Sequence, residues 1–161
     1  MTYSQHLSAF RDVQYIKTTH TSAQTTSTSA NTSIVVTGSE ITYTPSLGAD
    51  KVIYELSFYA EMINEDAFLA GQIQHYVSGA WAKIDDAYTK NIGLDGANQV
   101  MRYFPSFRFI LPAWVGARQL RFVLAPFSAN MPMTLHQLTD WDGSSATDQF
   151  ADTTLVVHSA G

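Results

Sequence analysis

Five histidines, three tryptophans and a scatter of aspartates are the residues of this chain with types suited to chemistry. Cysteine is absent, which excludes thiolate catalysis, a disulfide framework and thiolate metal sites. Serines are abundant, yet none sits in a Gly-x-Ser-x-Gly elbow, and there is no Walker loop, dinucleotide fingerprint or His-Glu-x-x-His. Asp140-Trp141-Asp142-Gly143, followed by Asp148 and Asp152, begins like a calcium loop. The ligand spacing of a twelve-residue EF-hand is not met, and Asp-Gly is common in turns. Asp85-Asp86 offers a carboxylate pair of the kind glycosidases use, but neighbours on a strand point to opposite faces, so a solvated strand end is expected.

His75 lies with Ile73 and Val77 on one face of a strand pattern, and His136 lies in MTLHQLTDW; both read as packed, hydrogen-bonded histidines. His6, His20 and His158 are too scattered to form a site by sequence alone. No catalytic residue, cofactor or metal is therefore expected. Trp81, Trp114 and Trp141 each adjoin a turn. Aromatics there can stack on sugar faces or pack along a rim, and the three are the candidate glycan contacts.

The elements that must position these residues are strands. In Lys51–Glu61 the series Val52, Tyr54, Leu56, Phe58, Ala60 is apolar, while the alternate face is mixed. Glu40–Thr44 ends at Pro45 and Gly48, and QIQHYV and AWAKI flank a Ser78-Gly79 hairpin. Val100–Leu111 contains Pro105, which cannot donate to a ladder and marks an edge or bulge. Arg118–Pro126, Met133–Trp141 and Asp152–His158 follow, with shorter candidates at Arg11–Lys17 and Ser33–Thr37. Asn64–Ala70 is a candidate for a turn or two of helix. Eight or nine antiparallel strands at this spacing predict an all-β antiparallel sandwich, most economically a jelly roll.

Charged residues are 14% of the chain, against roughly 25% in ordinary soluble domains. The net charge of −5 argues against general affinity for nucleic acid or anionic membrane, no apolar run is long enough to span a bilayer, and membrane insertion is not expected. Strands with apolar residues on both faces need a cover, and a symmetric copy of the chain is the commonest one. Arg102, Arg108, Arg118 and Arg121 fall in an acid-free stretch from Ala97 to Thr139, and are expected to pair with carboxylates of a neighbouring strand or subunit.

Three segments in order, SEITYTPSLGADKVIYE, FILPAWVGARQLRF and MTLHQLTDWDG, resemble structural proteins of tailed bacteriophages, notably those infecting marine bacteria, with a jelly roll like that of tumour necrosis factor and C1q. The resemblance implies an outward-displayed homotrimeric component of the virion surface, a capsid decoration, cement or head-fibre protein. Phe107, Phe109 and Phe122, with Arg108 and Arg121, would form the subunit interface. A receptor- or glycan-binding tip of a tail fibre or spike is the alternative, its partner a host-surface glycan. Thr18–Ser33, with eleven Ser or Thr in sixteen positions and no Gly, suits neither a flexible linker nor a Pro-rich stalk. Residues 1–32 are thus expected to form an extended arm that pairs with capsid or other virion proteins, ahead of a jelly roll over 33–161.

Overall fold

Residues 106–112, SFRFILP, alternate strictly: Phe107, Phe109 and Leu111 are buried and the residues between them exposed. That alternation is the rule of the fold. The structure, a computed structural model, describes residues 11–25, 32–63, 67–85, 89–94, 100–126, 133–138 and 149–161. Strands are numbered in chain order. The first sheet runs β1 (Arg11–Thr18), β16 (Thr153–Ala160), β5 (Lys51–Ser57), β11 (Ser106–Pro112), all antiparallel. The second centres on β12 (Arg118–Pro126) paired with β7 (Ala67–Val77). On its other side β12 takes β3 (Ile34–Val35) and β4 (Ile41–Tyr43), while β7 takes β8 (Ala80–Lys83) and β9 (Thr89–Leu94).

A further sheet orders β10 (Val100–Tyr103), β6 (Ala60–Ile63), β13 (Met133–Leu135) and β2 (Gln24–Thr25), and β14 (Gln137–Leu138) pairs with β15 (Gln149–Phe150). It prolongs the first sheet, because β5 leads into β6 and β10 into β11. Pro105 interrupts that long pair, as its missing donor requires, and its carbonyl accepts from the Phe58 amide across the gap. Successive strands switch between the two main sheets: β1 in the first, β3 and β4 in the second, β5 back in the first, β7 and β8 in the second, then β11, β12 and β16. This winding makes the sandwich a jelly roll.

The inward side chains of both sheets meet in one core of Phe58, Phe107, Phe109 and Phe122, flanked by Leu56, Leu120 and Leu155. The rings of Phe107 and Phe122 stand 4.5 Å apart, and Phe58 and Phe109 lie 6.3 and 5.9 Å from Phe122. Gly71 makes this possible. A Cβ there would fall 2.3 Å from Phe122 Cζ and 3.3 Å from Phe107 Cε1.

Three expectations are corrected. Phe107, Phe109 and Phe122 are interior to a single chain, so they offer no surface to a second copy. The stretch expected to be an arm is in part built into the fold: β1 pairs along β16, and β2 pairs with β13. Its boundary at residue 32 therefore falls within the sandwich, while residues 1–10 and 26–31 lie outside the described residues. Residues 67–70 begin β7 rather than closing a helix, since a short apolar run carries no period of its own and β9 and β12 pair with it on both sides.

Gly71→Ala is expected to lower stability by about 1–3 kcal/mol through overpacking. Urea denaturation reads this directly, and Phe122→Leu in the same chain should recover part of the loss, because it removes the ring that the new methyl meets.

Candidate functional site

The most densely bonded polar cluster among the described side chains is buried where the N-terminal segment crosses the end of β16. His20, just past β1, stacks on His136 with ring centroids 3.7 Å apart and planes 4° from parallel. Thr153 Oγ1 lies 2.8 Å from His20 Nε2 and 3.2 Å from His136 Nδ1. His136 Nε2 reaches Gln24 Oε1 at 3.2 Å, and Gln24 Oε1 also accepts the Thr37 amide while its Nε2 donates to the Val35 carbonyl. One direction of donation gives each of the three bonds a donor and an acceptor: His20 to Thr153, Thr153 to His136, His136 to Gln24. That arrangement requires the His136 imidazole to be neutral, since its Nδ1 accepts while its Nε2 donates.

The backbone holds His136 in place. Its φ of +69° breaks the run between β13 and β14, its amide donates to Tyr59 O, and its carbonyl accepts from Ala151 N. Burial pushes His136 down to about 4, with His20 opposite adding to the shift. Burial also lowers His20, partly offset by Asp152, which is itself paired with Lys17 Nζ at 2.7 Å. A hydroxyl between two bases has the composition of a nucleophilic site. Thr153 is 0% exposed, however, so no substrate reaches it, and the cluster works as a staple.

Two of the four arginines, Arg102 and Arg108, pair with carboxylates of a neighbouring strand as anticipated, while Arg118 and Arg121 lie over tryptophan rings. Arg102 Nε meets Glu61 Oε2 at 2.9 Å between β10 and β6, and Arg108 Nε meets Glu55 Oε1 at 2.9 Å between β11 and β5. Both partners belong to the same chain. Arg121 is half-buried over the Trp81 ring, 4.2 Å from its centroid, and its Nε donates to Gln74 Oε1 at 2.9 Å. Arg118 sits 4.7 Å over Trp114, whose Nε1 donates to Tyr43 O.

Of the candidate glycan contacts, Trp81 and Trp114 occupy different settings. Trp114 packs on the core beside a cavity of about 300 Å³ walled mainly by the backbone and apolar side chains of residues 45–49 and 113–116. Trp81 lines a groove with Glu40, Thr42 and Gln119 on the outer face of the second sheet. Trp141 and the Asp140–Gly143 turn lie outside the described residues, as does Asp86. Among the described residues no three His, Asp or Glu side chains converge as metal ligands. Sequence reasoning missed the His20–Thr153–His136–Gln24 cluster, whose members lie up to 133 positions apart and share no motif.

No protein-family model matches this sequence, and no curated protein matches it. Among solved structures, a chain in the structure of infectious bursal disease virus Gt strain overlays with a TM-score of 0.52 over 94% of this chain, at 9% identity. The overlay takes in 38% of that viral chain. It is a likeness of fold. The enzymatically active domain of tailspike protein 4 from bacteriophage CBA120 matches at a TM-score of 0.31 and 11% identity over 98% of this chain and 20% of that one, too loose an overlay to show a shared fold.

The staple makes stability depend on pH. In the unfolded chain a histidine takes up a proton near its ordinary 6.5, whereas folded His136 does so only at about 4. The unfolded state thus binds more protons in that window, and stability, complete above it, falls as pH drops from about 6.5 toward about 4. The urea midpoint is expected to fall between about pH 7 and about pH 5, above the range of ordinary carboxylates. His136→Asn, a residue that tolerates positive φ, should flatten the profile.

Proposed function

We propose that this chain is a noncatalytic structural protein of a tailed-bacteriophage virion, displayed outward as a homotrimeric knob that decorates or cements the capsid or forms a head fibre. The observation that carries the trimer is the outer face of the first sheet. Tyr15 is 61% exposed and Ile110 is 50% exposed, with Val13 and Phe104 also open to solvent. Between them, at the same outward parity, β16 presents the half-buried Val156. A two-sheet sandwich facing water should be polar there. A second copy covers such a face at the least cost, since the same strip recurs on each subunit.

The interface proposed here thus replaces the core phenylalanines with Val13, Tyr15, Ile110 and Val156. The Arg108–Glu55 pair, on the same face, would fix orientation more than affinity. The likeness of fold to a viral chain is compatible with a virion role, and the sealed Thr153 hydroxyl favours a noncatalytic one. Attachment to capsid or other virion proteins would fall to residues 1–10, ahead of the stretch that β16 pairs.

Light scattering on the purified chain tests the reading. The expected mass is three times that of one chain, and Ile110→Glu combined with Tyr15→Glu should yield a folded monomer with an unchanged urea midpoint. A native chain that runs as a monomer overturns the trimer. Co-sedimentation with purified particles, lost when residues 1–10 are removed, tests the attachment.

A further inference from the structure

The outer face of the second sheet differs in kind from that of the first. Cross-strand register sets Gln119 opposite Thr42, Arg121 opposite Gln74, and Tyr76 opposite Trp81, all on the side away from the core. The result is a broad surface of amides, hydroxyls and one indole. Trp81 is held on two sides. The Arg121 guanidinium covers one face of its ring, and Tyr76 meets it edge-on with centroids 5.4 Å apart and planes at 66°. Arg121 is itself tied to Gln74. An aromatic side chain fixed in this way loses little freedom when something binds to it.

Beside Trp81 runs a groove of about 200 Å³, bounded by Glu40 and Thr42 of the β4 side, and by Gln119 and Leu120 of β12. Glu40, Thr42 and Gln119 are exposed. We propose that this groove binds a neutral sugar, one pyranose ring set against Trp81 with its hydroxyls on Glu40, Thr42 and Gln119. A pyranose carries an apolar C–H face and a rim of hydroxyls that each donate and accept. The groove supplies one aromatic surface, an acceptor in Glu40, and groups of both senses in Thr42 and Gln119. Other ligand classes fit less well. An anion meets the Glu40 carboxylate, while Arg121 is engaged by the indole and by Gln74. A wholly apolar ligand would strip water from three polar side chains without replacing their hydrogen bonds.

This site is independent of the virion reading: it lies on the opposite sheet from the proposed subunit contact and uses none of its residues. The test is a titration of the ¹⁵N-labelled full chain with methyl α-glucoside, methyl β-galactoside and methyl N-acetyl-β-glucosaminide, following the Trp81 indole N–H, assigned with Trp81→Phe. At least one glycoside is expected to give a saturable shift with a Kd of about 1–10 mM, as suits a ligand of so few atoms. Gln119→Ala and Glu40→Gln, both on the surface, should weaken it about tenfold while leaving the urea midpoint in place. Absence of a saturable shift with all three glycosides overturns the proposal. So does binding that Gln119→Ala and Glu40→Gln leave unchanged, or binding that moves the Trp114 indole instead.

Discussion

A ring lies where a side chain would otherwise be: Phe122 of β12 occupies the space above Gly71 of the neighbouring β7. The rest of the interior is arranged around that approach. Because Gly71 contributes no atoms to the core face, Phe122 can lie close to its own sheet and still meet Phe107, Phe109 and Phe58 from the opposite one. Interiors packed to crystal-like density do not absorb displacements of an ångström or more. The spacing of the two sheets, and with it the height of every outward side chain, follows from four rings and one missing methyl.

The two outer faces carry different chemistry on this common frame. The first sheet presents Tyr15, Val156 and Ile110, an apolar strip crossed by one ion pair. The second presents glutamines, threonine, arginine and a braced tryptophan. Strand alternation allows this division, because each strand shares a single inward pattern while its outward positions are free to vary. The polar staple at the sandwich edge serves the frame as well. It connects β2, the His136 bend and the start of β16 through directional hydrogen bonds, so residues 11–25 are held by these contacts as well as by the β1 ladder.

Much of the fold was legible because period two is a local signal. Arg118–Pro126 reads as a strand in sequence and is one, and Pro105 marks the break between β10 and β11. Parity misled on one matter. Strands with apolar residues on both faces do not say which face is core, and Phe107, Phe109 and Phe122 turned out to be inside while Phe104 and Ile110 are outside. The Ser/Thr-rich stretch was harder still. Its β-prone, uncharged composition announces extended chain, but whether the partner strand comes from the same molecule depends on β13, far away in sequence. Trp81 was visible from its place beside a turn, whereas its setting against Arg121 required the register of β12, β7 and β8 to be known.

That register has a bearing on how the molecule is made. The first described strand has one sheet neighbour, β16, and β16 also separates β1 from β5. During synthesis β1 emerges long before its partner exists. The β5–β11 and β7–β12 pairs close over shorter loops and can assemble first, whereas β1 stays unpaired until β16 has been made. Such long-range closure is slow, and a waiting strand edge is open to the wrong neighbour. The uncharged, hydroxyl-rich tract that follows β1 is low in large apolar residues and offers little to such a neighbour. Order of synthesis and order of folding thus run in opposite directions at this end of the chain.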